Sequence, residues 1–65
     1  MKIKFVRLVT ADVRLANGDL SDVTYDRGSL VEAQVHPSGE KWSDLELPNG
    51  DFVMDVPTTA FTQYN

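Results

Sequence analysis

The chain has 65 residues, 42% of them hydrophobic, a net charge of −4 and no cysteine. That length allows one small domain and no separate cofactor-binding lobe, and the missing cysteines exclude disulfides, thiolate catalysis and thiolate metal sites. A secreted domain this small ordinarily needs such staples, so the composition predicts a cytoplasmic location; charges interrupt the apolar residues of the segment 1–9, as they would not in a signal peptide, and no run reaches the length of a membrane span.

The charge is unevenly spread. Lys2, Lys4 and Arg7 fall in the first seven residues, so residues 8–65 carry −7. An acidic surface repels phosphate backbones, and direct nucleic-acid binding is not expected. The basic strip itself has two readings. It is an edge strand kept soluble by lysine, or a surface that pairs with an acidic one, including that of a second copy.

Along the chain the dominant period is two, which predicts strands. From Ile3 to Leu15 the odd positions are apolar except for Arg7, while Val6 and Leu8 fall on the wrong face beside it. A short basic strand over 2–8 with a break near Arg7, then a strand from Val9 to Leu15, is the consequence. Asn17-Gly18 suits a two-residue turn with positive φ at both positions. That turn pairs Leu15 with Leu20 and sets Val13 opposite Asp22, leaving Val23 and Tyr25 on the other face. The arm from Asp19 to Asp26 is therefore predicted as an irregular, bulged excursion ended by Arg27-Gly28.

Leu30 to His36 reads as a strand, with Val31, Ala33 and Val35 on one face, and 37–41 as a loop. Trp42 to Leu47 and Phe52 to Val56 form a hairpin. A two-residue turn at Asn49-Gly50 pairs Leu47 with Phe52, Leu45 with Met54 and Ser43 with Val56, and puts Asp44, Glu46, Val53 and Asp55 on the opposite face. A five-residue loop over 37–41 places His36 beside Trp42, Gln34 beside Asp44 and Glu32 beside Glu46. Val56-Pro57 ends the last long strand, Thr58–Phe61 suits one helical turn, and 62–64 a short closing strand. No internal repeat is apparent.

This layout resembles SH3-like small barrels. Asp19-Leu20-Ser21 is similar to the acidic-Leu-Ser step late in their RT loop, Arg27-Gly28 to the glycine before the next strand, and Trp42 to the tryptophan that opens the strand after the n-Src loop. Val56-Pro57-Thr58-Thr59-Ala60-Phe61 is similar to their closing hydrophobic-Pro-x-x-x-aromatic segment. The resemblance implies an all-β barrel of about five antiparallel strands with one short helical turn near the C-terminus. It covers residues 9–64, with 2–8 as an added strand of the same single domain, 1–65. Val9-Thr10-Ala11-Asp12-Val13 lacks the Ala-Leu-Tyr-Asp-Tyr motif and Phe61 stands for a tyrosine, so polyproline recognition is not carried over, and fold alone does not set function.

The candidate site is the outer sheet face. Trp42 with His36, Gln34, Asp44, Val53 and Asp55 is read as a partner-binding surface, because tryptophan buries a large area at little entropic cost; the competing reading has Trp42 packed under the 37–41 loop. The opposed acidic pairs Asp44/Asp55 and Glu32/Glu46, with Asp19, Asp22 and Glu40 as further acidic contacts, suit arginine or lysine from a partner. They are also read as a weak divalent-cation site or as a solvent-screened surface. Catalysis lacks support, since His36 is the one imidazole and no oxyanion hole serves Ser21, Ser29, Ser38 or Ser43. No cofactor or metal is expected. The sequence thus predicts a non-enzymatic module for a basic protein or peptide. The alternatives are a structural component that assembles with itself through residues 2–8, and a small acidic inhibitor of phage or mobile-element type that occludes a nucleic-acid-binding site.

Overall fold

Alternating apolar residues build eight strands in two antiparallel sheets, as described for residues 1–64 by a computed structural model. The strands are β1 (Lys2–Phe5), β2 (Val9–Arg14), β3 (Leu20–Tyr25), β4 (Leu30–Glu32), β5 (Gln34–Pro37), β6 (Trp42–Glu46), β7 (Phe52–Pro57) and β8 (Phe61–Gln63), with a 3₁₀ turn, Thr58–Ala60, between the last two. The small sheet has the order β4-β1-β8, and the large one β3-β2-β7-β6-β5. β4 and β5 are one run of chain bent at the buried Ala33, so the chain passes there from one sheet to the other. Among the described residues no helix is long and apolar enough to cross a membrane.

β1 is not an edge strand. It lies between β4 and β8, with Ile3 opposite Val31 on one side and Gln63 on the other. Ile3 and Phe5 are fully buried, and Phe5 stacks on Tyr25 with ring centroids 4.6 Å apart and meets Phe61 edge-on at 6.1 Å. Ile3 and Phe5 of β1 thus belong to the same core as Val9, Ala11 and Val13 of β2. Both edges of β1 are hydrogen-bonded, so strand pairing with a second copy through it is closed off.

Both hairpin turns differ from the expected type, for one reason. In each, the loop has three residues rather than two. Gly18 N–H donates to the Leu15 carbonyl at 2.8 Å and Leu15 N–H to the Asp19 carbonyl at 2.7 Å; the Leu47, Gly50 and Asp51 bonds repeat this at 3.0 and 2.8 Å. Only the glycines take positive φ, +94° in both loops, while neither asparagine does. This is a type I turn closed by a left-handed glycine, and proline at its first central position fits the required φ. In both loops the asparagine Oδ1 accepts the amide of the following aspartate, at 2.9 and 3.0 Å.

One extra loop residue slips the register by one, which exchanges the two faces of the returning strand. In the first hairpin the result is a regular ladder from Val9↔Tyr25 to Arg14↔Leu20, with no bulge, so Val23 and Tyr25 turn toward the core. In the second, Leu45 pairs with Val53 and Glu46 with Phe52. Val53 is then fully buried, while Phe52 and Met54 move to the outer face opposite Arg14 and Asp12. A bulge at Met54-Asp55 restores the expected pairing of Ser43 with Val56. Asp55 takes φ +53° there, and its N–H donates to Asp44 Oδ1 at 3.0 Å.

The chain does contain a repeat. Residues 12–19, Asp-Val-Arg-Leu-Ala-Asn-Gly-Asp, recur as 44–51, Asp-Leu-Glu-Leu-Pro-Asn-Gly-Asp. The two loops lie side by side, and Asp51 Oδ1 accepts the Ala16 N–H at 2.9 Å. A methyl group at Gly50 would stand 3.3 Å from the Ala16 Cβ, whereas one at Gly18 would meet nothing within 4 Å. Gly18→Ala should therefore lose only the left-handed preference, about 1–2 kcal/mol, and Gly50→Ala should lose more. Urea midpoints of the two variants check this; equal losses would mean that the loops do not pack together.

The core gathers Ile3, Phe5, Val9, Ala11, Val13, Ala33, Leu45, Val53, Val56 and Ala60, with Leu15, Val31, Val35 and Leu47 partly buried around it. Buried Ser43 Oγ shares a hydrogen bond with Thr58 Oγ1 at 2.9 Å, and Thr58 N–H donates to the Lys41 carbonyl, which fixes the 3₁₀ turn against β6. Burial pushes the Tyr25 phenol above its ordinary 10.0, and the Asp51 carboxylate adds to the shift. A phenol whose folded pKa is raised contributes its stability fully below the unfolded value and loses it as the pH rises through the folded one. Stability should fall in that alkaline window, and Tyr25→Phe should flatten the fall. Tyrosinate absorbance alongside urea melts measures both, and an unchanged slope in the variant would refute the assignment.

Candidate functional site

Strand alternation leaves one broad exposed surface on the large sheet. Its first row crosses all five strands in register, as Leu20, Arg14, Phe52, Glu46 and Gln34. The Arg14 guanidinium sits 5.2 Å above the Phe52 ring, a cation–π distance. His36 Nε2 and Glu46 Oε1 are 2.9 Å apart, and the imidazole is 6.1 Å from Phe52. Cation, aromatic ring, imidazole and carboxylate thus hold one another across β2, β7, β6 and β5. The second row carries Asp22, Asp12 and Met54, then Asp44 opposite His36. In the third, the Thr10 and Thr24 hydroxyls are 3.1 Å apart, and Trp42 stands on β6 at the far side.

Trp42 is 47% exposed, and its register partner is Pro57. A Cβ built at Gly39 would lie 3.8 Å from its Cδ1, so the loop after β5 passes near one edge of the indole. Trp42 is therefore not packed fully under the 37–41 loop.

Gln34, His36, Asp44 and Trp42 share the face expected of them, and Asp55 is exposed at the bulge. Val53 does not belong there, being fully buried under the same sheet. His36 lies opposite Asp44 rather than Trp42, and Gln34 opposite Glu46. Ser38 N–H donates to the Trp42 carbonyl, so residues 39–41 close the turn instead of 37–41, and the resulting two-residue slip preserves the face. The pair Glu32/Glu46 does not form, because Glu32 lies opposite Lys2 and takes the Met1 ammonium at 3.2 Å. Asp44 and Asp55 are not simply opposed charges either, since one carboxylate accepts the other residue's amide. Asp22 joins the face, Asp19 follows the first loop, and Glu40 lies in the loop before Trp42. His36 bonds Glu46, and no serine hydroxyl is its hydrogen-bond partner among the described residues.

Phe52, Met54, Arg14 and Asp12 are the face residues the sequence reading missed. A directly opposed like-charge pair is present at Asp12 and Asp22, which normally costs stability. Neither ion pair among the described residues uses a lysine or arginine. The carboxylates of this face are thus left without a cation partner except Glu46, which holds His36. Among the described residues no group of three or more His, Asp or Glu is placed to hold a metal ion. Comparison with protein-family models, curated proteins and solved structures returned no match, so the reading of this face rests on its own geometry.

Proposed function

We propose that this chain is a non-enzymatic protein-binding module, whose outer face on the large sheet engages a basic protein or peptide. The observation that carries the reading is the exposure of Trp42, on the same face as the half-buried Phe52 and Met54, among carboxylates that form no ion pair with a lysine or arginine among the described residues. Aromatic area supplies affinity at low entropic cost, and unpaired carboxylates supply sign selectivity and a fast approach. A stability-costing Asp12/Asp22 pair is consistent with a surface kept for a partner rather than for the fold.

The SH3-like reading of the fold has support in the strand order. One strand pair shared between two sheets at Ala33, a loop, a hairpin, a 3₁₀ turn and a closing strand beside the first strand follow the SH3 sequence of elements. On that reading the β2–β3 hairpin stands for the RT loop and extends the large sheet instead of folding over its end. A cytoplasmic location remains part of the proposal.

The test uses a fluorescent peptide of alternating arginine and leucine, followed by anisotropy. Trp42→Ala leaves the charge unchanged, so it separates a formed site from a diffuse acidic field. The variant should keep a cooperative urea transition and bind at least about tenfold more weakly, equivalent to about 1.4 kcal/mol. Equal affinity of both proteins would refute the proposal.

A further inference from the structure

Asp12, Asp22, Asp44 and Glu46 stand on the outer face of the large sheet, with Arg14 as the cation of their rows, whereas Lys2 and Lys4 stand on the small sheet, with Glu32 beside Lys2. Outward alternation on the small sheet presents Lys2 and Lys4 from β1, with Val6 continuing the strand, and Leu30 and Thr62 in register with Lys4. Tyr64 N–H donates to the Lys2 carbonyl, which continues that ladder and places a 44% exposed ring beside Lys2. Arg27 joins Lys4 along a groove of about 330 Å³, floored by Phe5, Val6 and Gly28. Leu30 is 58% exposed and Leu8, just beyond β1, 62%. Among the described residues Lys2, Lys4 and Arg27 have no carboxylate ion-pair partner, and Glu32, which lies opposite Lys2, takes the Met1 ammonium.

From this segregation we infer that the small-sheet face docks onto the acidic face of a second copy, head to tail. The inference rests on the reading of the acidic face given above and names one partner for it. Two like surfaces would repel, so the contact joins unlike patches and does not close into a symmetric dimer. Exposed leucine, valine and tyrosine among the cations suit a protein surface bearing Trp42, Phe52 and Met54 better than a phosphate backbone, which offers them nothing apolar. With principal extents of 29 × 22 × 18 Å, the molecule offers faces at the small end of those that hold stable complexes. The association is therefore weak, reversible, and dependent on concentration and salt. It runs face to face, which the fully paired edges of β1 permit.

Sedimentation velocity of the full chain at about 0.05 M and about 0.5 M salt is the first measurement. The mean mass should rise with protein concentration at low salt and fall back at high salt. Two exposed double variants then divide the faces: Lys4→Gln with Arg27→Gln, and Asp12→Asn with Asp22→Asn, each checked for a cooperative urea transition. Alone, each should stay monomeric. Mixed, they keep one intact face of each kind and should give a one-to-one dimer that grows no further. A wild-type chain that is monomeric at every concentration, a dimer that survives high salt in either variant, or a mixture that stays monomeric would overturn the inference. So would a monomer whose Lys4 and Arg27 bind oligothymidylate or phosphatidylglycerol vesicles instead. Trp42-dependent peptide binding by a strictly monomeric chain would sink this inference alone. Self-association left untouched by Trp42→Ala and by the aspartate variant would sink the acidic-face reading as well.

Discussion

Phe5→Ala is expected to leave much of the population unfolded without denaturant. The ring is fully buried, stacked on Tyr25 and edge-on to Phe61, so it joins β1 to β3 and β8 at one point. Removing a buried phenylalanine costs about 3–5 kcal/mol. Native stability runs to roughly 0.05–0.15 kcal/mol per residue, which is about 3–10 kcal/mol for a chain of 65 residues, so the loss is about a third or more of the whole. A urea titration read by Trp42 fluorescence should show a baseline already shifted, or a midpoint near zero. A variant that unfolds cooperatively with less than about 1 kcal/mol lost would mean that residues 2–8 are an appendage to an independent barrel. For the same reason, deleting the basic strip is a poor test of self-association, since it removes Ile3 and Phe5 along with the lysines.

The all-β class was legible because alternation survives any error of register. Strand positions β1, β2, β6 and β7, the break near Arg7, and the turn and closing strand after Pro57 follow from period two and proline alone. Facing was legible only as far as loop length was. Asn-Gly serves both a two-residue turn and a three-residue loop, and the choice depends on the residue before asparagine. Pro48 marks the longer loop, since its φ near −65° suits the first position of a type I turn. Ala16 gives no such mark. The repeat would have supplied it, because Leu15–Asp19 and Leu47–Asp51 match in pattern and so in loop.

The repeat also carries the signal for the bulge. After the first loop, Asp19-Leu20-Ser21 leads directly to Asp22-Val23; after the second, Asp51-Phe52-Val53 reaches Asp55-Val56 with Met54 inserted. One surplus residue between matched positions is a bulge at the sequence level, and it falls where Asp55 takes φ +53°. What no local pattern reveals is the pairing of β1 with both β4 and β8, which depends on contacts distant in sequence. The charge segregation was out of reach for the same reason. Lys4 and Arg27 are far apart in the chain and become neighbours only when β1 fills the centre of the small sheet.

Val53→Asp and Phe52→Asp should have opposite outcomes although they change adjacent residues to the same side chain. Val53 is fully buried against Val13 and Leu45 of the neighbouring strands. A carboxylate there has no cation partner, and burying an unpaired charge costs several kcal/mol even after its pKa adjusts, so the chain should lose its cooperative transition. Phe52 is on the outer face beside Arg14, which can receive a carboxylate in place of the ring. That variant should fold, with a urea midpoint lowered by about 1 kcal/mol or less. Under a two-residue turn the two results would be exchanged, because Phe52 would face the core and Val53 the solvent. The folded variant also tests what the face recognises. Charge alone would make Phe52→Asp bind the arginine-leucine peptide more tightly, since it adds a carboxylate, whereas an aromatic platform predicts weaker binding despite the added charge. Anisotropy at low and high salt separates the two: loss of affinity at both salts means that the half-buried Phe52 ring supplies contact area that the carboxylates cannot replace.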